Sequence, residues 1–169
     1  GGFSFEKNHL GLLKIFKKVV KNHPTTHLHL VGDGGLRANV KQKVEEMDLV
    51  ENITFYGFVN NPLPLIQAAD VLVLPSIIEG LPGVLLEAMY CETPVIAYDV
   101  GGISEIINAN TGSLIPKNDE DSFAEKIMKV LHCASKEQVI KARHLVLESY
   151  MNHTLASKFL STYQNVLNN

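Results

Sequence analysis

Cysteine is scarce in this chain, and so are charge imbalance and long apolar runs. Only two cysteines, Cys91 and Cys133, occur in 169 residues, and they have no C-x-x-C spacing. That excludes a disulfide scaffold and a zinc ribbon, and both thiols read as reduced residues in or near the core, in a reducing compartment. The net charge is only −3, which gives no general attraction to nucleic acid or to an anionic membrane, so any phosphate site must be local. No apolar run approaches the roughly 20 residues that a membrane-spanning helix needs, and no basic-then-apolar pattern opens these residues. The cytoplasm is the expected location, with peripheral membrane contact left open. There is no internal repeat and no low-complexity linker. What is present, 46% apolar and 20% charged residues, is enough for one domain with a proper core.

The pattern of the chain alternates strand and helix. A helix is expected from about Asn8 to Asn22, with Leu12, Leu13, Phe16, Val19 and Val20 on its apolar face. Strands follow at His27 to Val31, Asn52 to Tyr56, Val71 to Leu74, Pro94 to Tyr98 and Gly112 to Pro116. Between them lie a helix to about Met47, a short one from Pro62 to Ala69, one from Pro82 to Cys91, and a short one from Gly101 through Ile107. Helical patterns fill the rest from about Glu120. Units of this length predict an α/β fold, a Rossmann-like parallel sheet covered by helices on both faces, with a helical C-terminal extension. The opening Gly1-Gly2-Phe3-Ser4 is too short for a full first strand, so the chain reads as part of a longer protein. Gly1 and Gly2 are set aside from the fold reading.

The stretch Glu79-Gly80-Leu81-Pro82-Gly83-Val84-Leu85-Leu86-Glu87 carries the chemistry. It follows a buried strand ending at Pro75-Ser76, which is where open α/β sheets bind ligands. Proline suits the first turn of a helix, so a helix is expected to start near Pro82. The amides of Gly83, Val84 and Leu85 are then free donors at the positive end of the helix dipole, a site for phosphate. Gly83 lets a ligand approach the backbone closely. Glu87 lies about five residues into that helix and Glu79 stays in the loop, so an anion at the helix end has a carboxylate on either side. Carboxylates repel phosphate, and their natural partners are flanking hydroxyl groups. A molecule with polyol, diphosphate and polyol in series is a nucleotide sugar. The plain alternative is that both glutamates are solvated surface residues.

The stretch from Glu6 to about Leu131 resembles the C-terminal domain of retaining GT-B-fold glycosyltransferases of the group 1 family. The matching pieces are Glu6-Lys7-Asn8, Val31-Gly32-Asp33-Gly34, Ile53 to Val59, Ala69 to Ser76, Glu79 to Pro82, Glu87-Ala88-Met89, Thr93 to Ala97, Val100-Gly101-Gly102 and Gly112. The resemblance implies that residues 1–169 are the nucleotide-sugar-binding half of a two-domain enzyme whose acceptor half is absent from this segment. It implies Lys7 on the donor diphosphate, Glu79 facing the transferred sugar as the catalytic residue, and Glu87 on the ribose hydroxyls. Backbone groups of Gly80, Leu81, Gly83 and Val84 would meet the phosphates and sugar, Phe58 and Val59 would frame the base, and Gly32 and Gly34 would form the glycine turn near the nucleotide. A UDP-sugar is the expected donor, and a glycan or lipid-linked molecule the expected acceptor in polysaccharide biosynthesis. No metal or other cofactor is expected. Two departures stand out. The family's arginine just before the lysine falls at or near Gly2, and Pro82 replaces a common glycine. Alternatives are a non-catalytic nucleotide-binding module and a sugar-nucleotide epimerase or phosphorylase of the same fold.

Other groupings read more plainly. Asp119-Glu120-Asp121 has D-x-D spacing but precedes a helix, where acids act as caps. His27 and His29 alternate toward one strand face without a third metal ligand. His9 lies close enough to Lys7 for a weak phosphate contact. Ser76 and Ser104 have no evident His-plus-acid partners. Lys14, Lys17, Lys18 and Lys21 form a basic helix face, read as solvated, with membrane contact second.

Overall fold

The computed structural model describes residues 1–167. Its strands are β1 (Leu28–Val31), β2 (Ile53–Gly57), β3 (Leu72–Leu74), β4 (Val95–Tyr98) and β5 (Ser113–Ile115). Its helices are α1 (His9–Asn22), α2 (Arg37–Glu46), α3 (Leu63–Gln67), α4 (Gly83–Tyr90), α5 (Glu120–His132), α6 (Lys136–Ser149) and α7 (Asn152–Leu167). Short 3-10 turns cover Val50–Asn52 and Gly101–Glu105.

Every strand pairing is parallel, as expected, in two hydrogen-bonded units with residues 1 to 6 between them, where the Gly1 nitrogen donates to the Val31 carbonyl and the Ile77 amide to the Glu6 carbonyl. β1 pairs with β2, with Leu30 opposite Phe55, and β3, β4 and β5 pair in that order, with Val73 opposite Ile96 and Ala97 opposite Leu114. Packing also joins them. Phe3 and the α1 residues Leu13 and Phe16 share one core with Leu30 and Ile53 of the first unit and Ile96 and Tyr98 of the second. α1 thus bridges the two units, with α2 and α5 beside it.

β4 shows how the layers arise. All four of its side chains are buried, and they alternate between two cores. Ile96 and Tyr98 enter the core with α1, α2 and α5. Val95 and Ala97 enter a second core with Leu85, Ala88 and Met89 of α4 and Ala142 and Val146 of α6. Period-two alternation with both sets apolar is the mark of a strand covered on both faces. On β1 and β2 the second face is polar instead. His27 bonds Thr54 at 2.8 Å, His29 bonds Tyr56 at 3.2 Å, and the two imidazoles lie 5.0 Å apart. The shared face foreseen for the histidines is real, and each ring is engaged by a strand neighbour. No group of metal-binding type occurs among the described residues.

Two of the four lysines on the basic face of α1, Lys14 and Lys18, are paired with carboxylates. Lys18 lies 2.7 Å from Asp121 and 3.8 Å from Glu120, Lys14 lies 3.6 Å from Glu120, and Lys17 donates to the Met47 carbonyl at 2.7 Å. Asp119 caps α5 by accepting from the Ser122 amide at 3.0 Å. The acids of the D-x-D are therefore a cap and ion-pair partners. No described helix is long and apolar enough to cross a membrane.

Candidate functional site

The site lies where the loops after β1, β2 and β3 meet the start of α1. Lys7 is held there by its neighbours. The Glu6 carbonyl accepts from the Ile77 amide at 2.8 Å, and the Asn8 side chain donates to the Pro75 carbonyl at 3.0 Å. Both contacts tie the entrance of α1 to the loop leaving β3. Asn8 has φ 51° and ψ 44° and caps α1 by accepting from the Gly11 amide at 3.2 Å. Asparagine tolerates this left-handed conformation better than most residues. A side chain at position 11 would sit 2.4 Å from the Asn8 amide nitrogen, so Gly11 is what leaves room for the cap.

So clamped, the Lys7 ammonium reaches Glu79 and donates to its carboxylate at 2.6 Å. The Lys7 side chain is 29% exposed and that of Glu79 only 9%. The Glu79–Gly80 loop is braced from below. Gly101 has φ +55°, and a Cβ there would lie 1.8 Å from the Glu79 carbonyl oxygen. The Gly102 amide donates to the Gly80 carbonyl at 3.1 Å. Above the loop there is space, since a Cβ at Gly80 or Gly83 would meet nothing within 4 Å.

α4 starts one residue later than the sequence suggested. Pro82 is its cap, with extended ψ of 114°, and Gly83 is its first residue. The Pro82 carbonyl accepts from the Leu85 amide at 3.1 Å. The free donors at this helix end are therefore the amides of Gly83 and Val84, not three as expected, because the opening turn tightens to an i,i+3 bond. Glu87 stands exposed on α4.

The residues expected beside the nucleotide adjoin this cluster. The Gly32 amide donates to the Gly57 carbonyl at 2.7 Å, which sets Phe58 and Val59 beside the turn after β1. Phe58 is 78% exposed and free to take a stacking partner. Gly32 (φ +135°) and Gly34 (φ +157°) are needed for a close backbone approach, because a Cβ would lie 1.9 Å from the Gly1 carbonyl oxygen and 2.7 Å from Phe3 backbone atoms, respectively. The approaching backbone is that of residues 1 to 3. Gly1, set aside in the sequence reading, is packed into the structure, and the Phe3 amide donates to the Asp33 carbonyl at 3.0 Å. Leu81 is half-exposed at the lip of the loop. His9 turns inward. Its ring stacks on Phe3 at 4.1 Å, its Nδ1 is buried without a partner, and burial, the amino terminus and Lys7 push its pKa down to about 4. It is neutral at pH 7 and adds no charge for a phosphate.

The residues thus brought together are a cation, two carboxylates, a helix N-terminus and an exposed aromatic, all at one end of the parallel strands. The family description "Glycosyl transferases group 1" matches residues 1–144. This chain belongs to that family. It is 26% identical over 156 residues to the poly(ribitol-phosphate) alpha-N-acetylglucosaminyltransferase of Staphylococcus aureus, covering 90% of this chain and 32% of the relative. It is 30% identical over 159 residues to the N-acetyl-alpha-D-glucosaminyl L-malate synthase of Bacillus anthracis, covering 92% of this chain and 42% of the relative. The chain therefore spans less than half the length of these relatives. Among solved structures it is similar to Anabaena HepE in complex with UDP, with a TM-score of 0.89 and 22% identity over 98% of this chain and 47% of that one. That likeness shows the fold, the Rossmann-like arrangement of GT-B glycosyltransferases.

Four residues that shape the site escaped the sequence reading as such. Asn8 and Gly11 act as a coupled pair with no short-motif signal. Gly101 and Gly102 were legible as a glycine doublet after a strand, but their contact is with the Glu79–Gly80 loop, 22 residues earlier, which local pattern does not reveal.

Proposed function

We propose that residues 1–169 form the donor-binding half of a two-domain retaining glycosyltransferase. In this reading it takes a UDP-sugar and passes the sugar to a glycan or lipid-linked acceptor held by the other half. The observation that carries the reading is the Lys7–Glu79 pair beside the open N-terminus of α4. The ligated relatives and neighbours of the family support the nucleotide-sugar class, since HepE was solved with UDP. The nucleoside lies toward Phe58 and Val59, Glu87 accepts from the ribose hydroxyls, and the diphosphate meets the Gly83 and Val84 amides together with Lys7. Space over Gly80 and Gly83 allows that approach. Glu79 then accepts from hydroxyls of the sugar.

Catalysis follows from position. Binding energy on the nucleoside and diphosphate places the anomeric carbon facing the acceptor. As the glycosidic bond breaks, negative charge builds on the leaving diphosphate. The helix amides and the Lys7 ammonium are fixed donors for that charge, in the manner of an oxyanion hole. This electrostatic supply gives a metal ion no required part. In this reading the site works in the reducing interior of the cell.

Thermal unfolding with millimolar UDP, GDP, ADP and their sugar conjugates tests the reading, because a ligand that binds only the folded state raises the melting temperature by mass action. A rise with the uridine nucleotides alone is expected. Equal melting temperatures with every nucleotide, in the protein of full natural length, would remove the donor site.

A further inference from the structure

Lys7 and Glu79 are held together by more than their own attraction. The Glu6–Ile77 and Asn8–Pro75 hydrogen bonds fix the Lys7 side, and Gly101 packs under the Glu79 carbonyl. Glu79 has Lys7 as its ion-pair partner at 2.6 Å, and its side chain is only 9% exposed. A carboxylate so far out of water is costly when its cation is drawn away and nothing replaces it.

Under the donor-site reading above, on which this inference rests, the two charges serve different parts of one ligand. A nucleoside diphosphate offers phosphate to Lys7 and nothing to Glu79. Its negative charge competes with the carboxylate for the ammonium, and Glu79 is left facing an anion. A nucleoside diphosphate carrying a sugar brings hydroxyl donors that replace the ammonium at Glu79. The geometry points to the Lys7–Glu79 pair as a discriminator that makes the site prefer the sugar-bearing donor over the bare nucleoside diphosphate. The same pair speeds product departure. Once the sugar has left, Glu79 reclaims the ammonium and the diphosphate loses its cation.

The test is calorimetric titration of UDP and of UDP-N-acetylglucosamine into the full-length protein and its Glu79→Gln variant, with unfolding curves as a check of folding. Glutamine keeps the shape and a hydrogen-bonding group but removes the charge. The variant is expected to bind UDP roughly ten-fold more tightly, the scale of one charged hydrogen bond. It should bind UDP-N-acetylglucosamine no more tightly than wild type does, so the preference for the sugar disappears. A merely structural role would lower both affinities. Unchanged or weaker UDP binding in the variant overturns the inference, as does wild-type protein that binds UDP at least as tightly as UDP-N-acetylglucosamine, a result that needs no variant. Wild-type protein that binds neither ligand overturns the donor reading itself.

Discussion

Replacing Gly101 with alanine should damage the Glu79 loop more than any change of similar size nearby. Two costs add. The backbone at Gly101 has φ +55°, and an L-residue held in that region loses roughly 1–2 kcal/mol. The new methyl group would also start 1.8 Å from the Glu79 carbonyl oxygen and 2.9 Å from its carbon, both backbone atoms. Reaching ordinary contact at 3.4 Å takes a shift of about 1.6 Å, and forced movement of this kind in a packed region costs roughly 1–3 kcal/mol. The total is about 3 kcal/mol, which for a domain of this size lowers the melting temperature by roughly 6–12 °C.

The functional effect follows from the same shift. Glu79 is the residue displaced, and its carboxylate would leave the position set by Lys7. Misplacement by about 1 Å at a reacting centre can cost on the order of a hundred-fold in rate. Transfer assays on the full-length protein should therefore show kcat down by about that factor, at a temperature where the variant is still folded. Gly102→Ala is the internal comparison, because its added carbon would lie 3.0 Å from the Gly80 carbonyl oxygen, a mismatch of a few tenths of an ångström. A Gly101→Ala protein with wild-type melting temperature and wild-type kcat would refute the bracing role. So would equal losses in the Gly101 and Gly102 variants.

Other expectations follow from the same geometry. Gly83→Ala meets open space, so it should leave thermal stability unchanged or slightly raised while weakening donor affinity measured by calorimetry, because the methyl group would stand where the diphosphate is proposed to approach. Glu87→Ala should lower donor affinity by roughly ten-fold, the value of one charged hydrogen bond, and unchanged affinity would sink its ribose role. His9 is held neutral in the fold with a pKa of about 4 against an ordinary 6.5, so the unfolded chain binds the extra proton between those values. Stability should be full above about pH 6.5 and fall toward pH 4, by roughly 1–2 kcal/mol after allowing for the partial exposure of the ring. Melting curves of His9→Phe, which keeps the stack on Phe3, should lose that part of the slope. Asp119→Ala removes the α5 cap and should cost about 1 kcal/mol in chemical denaturation, with donor affinity unaffected.

The alternation of strands and helices was readable because each element carries its own period. β4 is apolar at every position, and the residues of α1 that face the core recur at helical spacing. The start of α4 was legible to one residue, since proline marks it. The spacing of Glu79 and Glu87 after a buried strand drew attention to the loop that the fold brings against Lys7. Contacts between distant segments were not legible. Nothing local to Gly101 says that its Cα lies under a carbonyl of residue 79, and nothing local to Lys7 says that its partner is Glu79. Which strand edges pair was also hidden, because strand propensity says which residues extend and not which edges meet. The glycines after β1 were read as a turn near the nucleotide, and the neighbours packed against them, residues 1 to 3 of the same chain, were not foreseen.

The segment before α1 bears on how the site works. Residues proposed to meet the nucleoside follow β1 and β2, while Glu79 and the α4 amides follow β3, and residues 1 to 6 run between the two sides, bonded to the end of β1 through Gly1 and to the β3 loop through Glu6. α1 continues that segment. Its apolar face packs on both units, and its entrance is pinned to the β3 loop by the Asn8–Pro75 and Glu6–Ile77 bonds. Lys7 sits between those two pins. The cation proposed for the diphosphate is thus carried by the element that registers the nucleoside side against the sugar side. A ligand that spans nucleoside, diphosphate and sugar must touch both units, and it gains full affinity only when their spacing is correct. Asn8 should therefore matter beyond its cap. Asn8→Ala removes a cap, worth about 1 kcal/mol, and one of those two pins. Its loss of affinity for a complete donor should exceed its loss for the nucleoside alone, since only the complete donor reads the distance from the β1–β2 side to the β3 side. Equal losses for both ligands would mean that the two sides hold their spacing without Asn8 and that packing by α1 sets the distance.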